Sequence, residues 1–275
     1  MNRKFVLLAI SLLIIFSLSP VGINSTQIER GSDNIHFKND LISISITGGQ
    51  NVPVFSFSEP DDNETAYNVK FAKIFEIIDD NENGKYDANE SIIPQSTHAL
   101  APLSWSFSNI TTDDEGMSHF NMTSSGADFT ITFANHIGEN ASSLKFDIHV
   151  SGYQFISSNP NVKFVLGFKL GAPIDNITQT QSKVYFGEKA FFGIASEASS
   201  GSETLEVGLS SFEDEDEGRL AYITYEFFGD TFSHDPTIGF ASLSTDYDTR
   251  TSPIDFFFTM LPLFVLVPIV IKKKR

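Results

Sequence analysis

Apolar and polar positions alternate along most of this chain at a period of two. In Phe129-Thr-Ile-Thr-Phe133 the aromatic and aliphatic residues fall on one side and the threonines on the other. In Leu144-Lys-Phe-Asp-Ile-His-Val150 every second residue is charged or polar. Side chains of a β-strand point alternately to its two faces, so such segments suit antiparallel strands with one face in a core and one in water. Strands are expected over Leu41–Thr47, Val52–Ser58, Val69–Ile78, Leu103–Ile110, Ser118–Thr123, Asp128–Phe133, Ser143–Ser151, Val162–Leu170, Lys183–Phe186, Thr204–Ser210 and Leu220–Phe228. Turn clusters separate them, and no segment carries the pattern of a long, capped amphipathic helix. The fold class this implies is all-β: an antiparallel β-sandwich, with a barrel as the related solution, occupying residues 26–250 as one domain. Ser196–Gly218, which ends in the acidic run Glu213–Glu217, reads as the most loop-like interior stretch.

The two ends break the pattern. Arg3 and Lys4 precede an apolar run from Phe5 to Leu18, and small and turn-forming residues follow. That layout is expected of a signal peptide over residues 1–25. Near the other end, residues 254–271 are expected to form a single transmembrane anchor, uncharged from Phe256 to Ile271 and kinked by Pro262 and Pro268. The basic residues 272–275 then belong on the cytoplasmic side, which places residues 26–250 outside the cell.

Composition agrees with export. Sequons begin at Asn24, Asn63, Asn89, Asn109, Asn121, Asn140 and Asn176, so a glycoprotein is expected. The chain has no cysteine, which removes disulfides, thiol catalysis and cysteine-based metal sites. Its 27 phenylalanines supply core material instead. A net charge of −17 argues against nucleic acid as a partner and in favour of divalent cations.

One stretch carries a chemical spacing. In Asp79-Asp-Asn-Glu-Asn-Gly-Lys-Tyr-Asp-Ala-Asn-Glu90, oxygen-bearing side chains stand at positions 1, 3, 5, 9 and 12, with glycine at 6. Calcium takes six to eight hard oxygens at about 2.3–2.6 Å. Asp79, Asn81 and Asn83, the main-chain carbonyl of Lys85, then Asp87 and Glu90 are the expected ligands. Gly84 permits the sharp turn that aims them. Five acids crowd the loop against one lysine, a repulsion that a cation would relieve.

The loop resembles those of the EF-hand and dockerin families. Phe71, Ile74, Phe75 and Ile78 have the spacing of an entering EF-hand helix, but Pro94 stands where an exit helix would continue. Val69–Ile78 also reads as a strand, and a calcium loop joining two strands is the expected arrangement. Asn89 lies inside the loop, so a glycan there would have to project outward. The whole layout resembles uncharacterised archaeal cell-surface proteins, and its tail resembles the sorting tails of archaeal and bacterial surface proteins.

No catalytic set stands out. The six histidines include no His-x-x-x-His pair, and no Gly-x-Ser-x-Gly elbow or phosphate-binding glycine loop occurs. His234-Asp235-Pro236 reads as a surface turn and Trp105 as a core residue. The expected function is therefore non-catalytic: a membrane-anchored surface protein with a structural Ca2+, contacting an unidentified extracellular protein or glycan. A carbohydrate-active hydrolase with structural calcium is the alternative.

Overall fold

The computed structural model describes residues 26–62, 65–172, 176–214 and 218–241. The expected signal peptide 1–25, the membrane anchor 254–271 and the basic tail 272–275 lie outside the described residues. Among the described residues no helix is long and apolar enough to cross a membrane.

The described chain is all-β and entirely antiparallel. In order it forms β1 (Gln27–Arg30), β2 (Asn34–Lys38), β3 (Ser43–Thr47), β4 (Val54–Ser58), β5 (Tyr67–Ile78), β6 (Ser91–Ile92) and β7 (His98–Ala99). Next come β8 (Ser104–Phe107), β9 (Thr111–Thr112), β10 (Met117–Ser125), β11 (Thr130–Gly138), β12 (Ser143–Ser151), β13 (Val162–Gly171) and β14 (Ile177–Gln179). The last third holds β15 (Lys183–Phe186), β16 (Ala190–Gly193), β17 (Glu197–Ser200), β18 (Glu203–Asp214), β19 (Gly218–Tyr225), β20 (Thr231–His234) and β21 (Thr237–Phe240).

These strands make two layers. One runs β1-β2-β3-β4-β5-β13-β19-β18, with β6 and β7 pairing the far half of β5. The other runs from β8 and β9 through β10, β11 and β12 to β20 and β21, then through β16 and β15 to β14. β18 belongs to both: its start pairs β17 beside the second layer, and its remainder pairs β19 in the first. The sandwich expectation holds at this level. The loop expected over Ser196–Gly218 is corrected, because most of it is β17 and β18.

Alternation builds the core. β11 and β12 bury Ile131, Phe133, Phe146, Ile148 and Val150 and leave their polar neighbours part-exposed. Phe55 of β4 stacks on Phe146 at 4.7 Å, and Phe71 of β5 meets Phe133 at the same separation. Each buried phenylalanine contributes about 1.5–3 kcal/mol relative to exposure, so this aromatic layer stands in for the missing disulfides.

β5 departs from strict alternation at one place. Phe168 of β13 pairs with Phe71 and Gly167 with Lys73, so Ala72 is bulged out. An extra residue moves every later side chain to the opposite face. Ile74 therefore shares the main core with Phe71, whereas Phe75 and Ile77 turn outward. There they form a second, smaller cluster with Tyr86, Val165, Leu220 and Tyr222.

Candidate metal centre

The loop Asp79–Glu90 joins β5 to β6, and its ends are closed by the pairs Ile78↔Ser91 and Ile77↔Ile92. The flanking segments are strands, so the helical spacing of Phe71, Ile74, Phe75 and Ile78 is not an entering helix. The Ala72 bulge brings Phe71 and Ile74 to one face at a spacing of three, and Phe75 points to the other face.

Three features fix the loop. First, Tyr86 lies over the outer face of the first sheet, with its ring 4.7 Å from Tyr222 and 5.2 Å from Phe75. Its backbone N–H donates to Thr224 Oγ1 at 3.1 Å. Second, β18 carries glycine where the loop approaches, and a methyl group on Gly208 would collide with the carbonyl oxygen of Gly84. Third, Asp79 N–H donates to the Asn161 carbonyl at 3.0 Å, tying the loop to the chain before β13.

Inside the loop the oxygens are ordered by short bonds to the backbone. Asp79 is 1% exposed. Its carboxylate accepts the N–H of Asn83 at 3.2 Å and of Gly84 at 2.9 Å. Asn81 Oδ1 accepts Asn83 N–H at 3.1 Å, and Asn83 Oδ1 accepts Lys85 N–H at 2.8 Å. Gly84 has φ 71°, as the turn requires, and Glu82 has φ 57°, the only positive value at a non-glycine among the described residues. Glu90 Oε2 accepts Asp87 N–H at 2.9 Å.

The other oxygen of Glu90 is buried and has no hydrogen-bond partner. Burial raises this carboxyl to about pKa 7, opposed by the Asp87 N–H and reinforced by the facing carboxylates of Asp79 and Asp87. A buried acceptor without a donor costs about 1–3 kcal/mol. A hard cation between Asp79 and Glu90 would satisfy that oxygen and reverse the repulsion. The donor set of carboxylate, amide and main-chain oxygens suits calcium or magnesium better than a softer metal.

The side chains do not all converge. Asp87 turns its carboxylate to the amides of Asn81 at 2.9 Å and Asn83 at 2.7 Å. Among the described residues no three His, Cys, Asp or Glu side chains gather closely enough to hold a metal ion by themselves. The structure thus brings together Asp79, Asn81, Asn83, Asp87 and Glu90 as one hydrogen-bonded loop, in which a cation would draw also on amide and main-chain oxygens.

No family model matches this chain, and no curated protein matches it.

Other expected features find definite places. Trp105 is buried against Phe133 at 5.6 Å, as expected of a core residue. The surface turn expected at His234 is corrected. That imidazole is 1% exposed and Asp235 pairs with Lys145 instead, at 2.9 Å. His234 Nε2 lies 2.9 Å from the Ala195 carbonyl, which can only accept. Nδ1 is left to accept the Tyr225 hydroxyl at 2.9 Å. Burial pushes this histidine down to about pKa 4. Of the sequon asparagines, Asn89, Asn109, Asn121, Asn140 and Asn176 are all exposed. Asn24 and Asn63 lie outside the described residues.

Nothing in the spacing of residues pointed to Glu76. Fully buried in β5, it sits on the core-facing side that the bulge created. Its carboxylate accepts Tyr153 O–H at 3.1 Å and the N–H groups of Ile156 at 2.8 Å and Ser157 at 3.0 Å. Three donors offset the burial of a charge and pin the connection between β12 and β13 beside the calcium-type loop.

Proposed function

We propose that this chain is a non-catalytic cell-surface domain in which one calcium ion at Asp79–Glu90 stiffens a β-sandwich for contacts outside the cell. The orphan oxygen of Glu90 beside buried Asp79, in a loop with the calcium spacing, carries this reading. The apolar leader, the apolar stretch near the other end and the exposed sequon asparagines support a glycosylated, membrane-anchored display. The partner is an extracellular protein or glycan.

A contact surface lies beside the loop. Phe155 and Phe227 pack ring to ring at 4.6 Å, and Phe227 is 56% exposed. With Phe228 they line a cleft of about 670 Å3 whose other wall is the segment pinned by Glu76. Exposed aromatic rings with few charges around them are typical of recognition surfaces. Ordering of the loop by calcium would steady that wall through Asp79 and Asn161.

The hydrolase alternative has one observation in its favour. Glu59, Asp62 and Glu188 line a second cleft of about 350 Å3 beside Tyr67, where Lys189 pairs with Glu59 at 3.1 Å. Beads coated with the purified protein test the two readings. Calcium-dependent bead clumping or glycan capture, abolished by chelator, supports the surface role. Cleavage of a neutral glycan panel, lost in Glu188→Gln, would sink it.

A further inference from the structure

The outer face of the second sheet carries a cluster that the calcium-type loop does not involve. His119 of β10 and His136 of β11 are directly opposed across the strands. Their Nδ1 atoms lie 2.7 Å apart. The far nitrogens each meet a carboxylate: His119 Nε2 is 3.0 Å from Asp113 Oδ2, and His136 Nε2 is 3.3 Å from Asp147 Oδ2.

Proton counting defines what this arrangement holds. A carboxylate oxygen accepts, so both Nε2 atoms carry hydrogen. Two lone pairs cannot face each other at hydrogen-bond distance, nor can two N–H groups, so a single proton sits between the Nδ1 atoms. Exchanging that proton for a metal ion leaves both rings with Nδ1 lone pairs aimed at one point. Each Nε2–H is already held by a carboxylate, the outer-shell arrangement that orients metal-bound imidazoles and strengthens them as ligands.

We propose that His119 and His136 bind a divalent transition ion of the Zn2+, Ni2+ and Cu2+ class through their Nδ1 atoms. Tetrahedral bonds of about 2.0–2.1 Å set the two nitrogens about 3.3 Å apart, so the rings open by about 0.6 Å. Both side chains are part-exposed, which leaves solvent to complete the shell. Lys145 is the nearby cation, and its charge is met by Asp235 at 2.9 Å as well as by Asp147 at 3.8 Å. A net charge of −17 draws cations to the surface in general. With two protein ligands the site is a micromolar binder rather than a structural zinc centre, in keeping with the lack of any three-residue His, Cys, Asp or Glu cluster among the described residues. Imidazole nitrogen selects this ion class, and hard calcium prefers the oxygens of the Asp79–Glu90 loop.

The test titrates purified full-length protein with Ni2+, by calorimetry and by NMR of the imidazoles. Saturable binding is expected, with two histidines shifting. His119→Gln and His136→Gln should each weaken it at least tenfold. Asp147→Asn keeps both rings and removes one outer acceptor, so it guards against misfolding of the ring variants. It should weaken binding by about 10–100-fold. Absent binding, or binding that survives both ring substitutions, would overturn the assignment.

Discussion

Replacing Glu90 by Gln separates two effects that act in opposite directions. In chelator, the folded chain holds the Glu90 proton with a pKa of about 7 against an ordinary value of 4.5. Burial is the main cause, and Asp79 and Asp87 are the facing charges. Between those two pH values the folded state binds more protons than the unfolded state. Stability therefore falls as pH rises through that window and stays lowered above it. At about 1.4 kcal/mol per tenfold change in proton affinity, the full penalty is about 3 kcal/mol. Glu90 is 9% exposed, but most of the loop around it faces solvent, and screening reduces the figure to about 1–2 kcal/mol. Gln keeps an oxygen for the Asp87 N–H and removes the charge. At pH 8 in chelator, Glu90→Gln should raise Tm by about 2–8 °C. Calcium should reverse the ranking. The wild-type chain gains about 2.7 kcal/mol at a hundredfold excess over Kd, and the variant, lacking the closing carboxylate, gains much less. Paired thermal scans in chelator and in calcium read both effects. A variant that is less stable in chelator, or that keeps the full calcium gain, would refute the reasoning.

The remaining predictions concern the loop's supports and the core. Gly208→Ala pushes methyl against the Gly84 carbonyl and should cost about 1–3 kcal/mol, with weaker calcium binding, as seen by denaturant midpoints and calcium titration. Glu76→Ala strands the Tyr153 hydroxyl and the Ile156 and Ser157 N–H groups. It should lower stability by at least about 3 kcal/mol and speed proteolysis of the segment between β12 and β13. Phe55→Ala opens the aromatic layer and should cost about 3–5 kcal/mol in chemical denaturation. His234 is depressed from 6.5 to about 4, so the unfolded chain binds more protons there. Its contribution is complete above about pH 6.5 and is lost as pH falls toward 4. In the Glu90→Gln background, pH-dependent unfolding should show that acid loss free of the opposing Glu90 effect.

The fold was legible in part, where apolar and polar residues alternate between polar turns, although the alternation of β11 runs on to Gly138, past the expected end at Phe133. Ser143–Ser151 and Lys183–Phe186 match β12 and β15 end to end, because one residue in two is apolar and the turns on either side are polar. Strands β16 and β21 were not legible, since an apolar run interrupted or ended by glycine does not alternate as the equally short β15 does. β5 shows how a strand acquires a helical signature. The bulge at Ala72 shifts the alternation by one, so Phe71 and Ile74 share a face at a spacing of three. The spacing Asp79-Asn81-Asn83-Gly84-Asp87-Glu90 was legible because oxygen ligands recur at fixed positions along one loop. Its supports were not, because Gly208, Thr224 and Asn161 come from distant segments and meet the loop only through pairing of β5, β13, β19 and β18. The opposed pair His119 and His136 was hidden for the same reason: seventeen residues separate them along the chain and a hairpin closes the gap.

Calcium titration calorimetry of the purified protein, set beside Asp79→Ala, tests the central claim most directly. The account expects one calcium ion per chain in the wild type, with a Kd of about 10⁻⁴–10⁻³ M or tighter, and no binding in the variant. No binding up to about 10 mM calcium, or equal binding in Asp79→Ala, would contradict it.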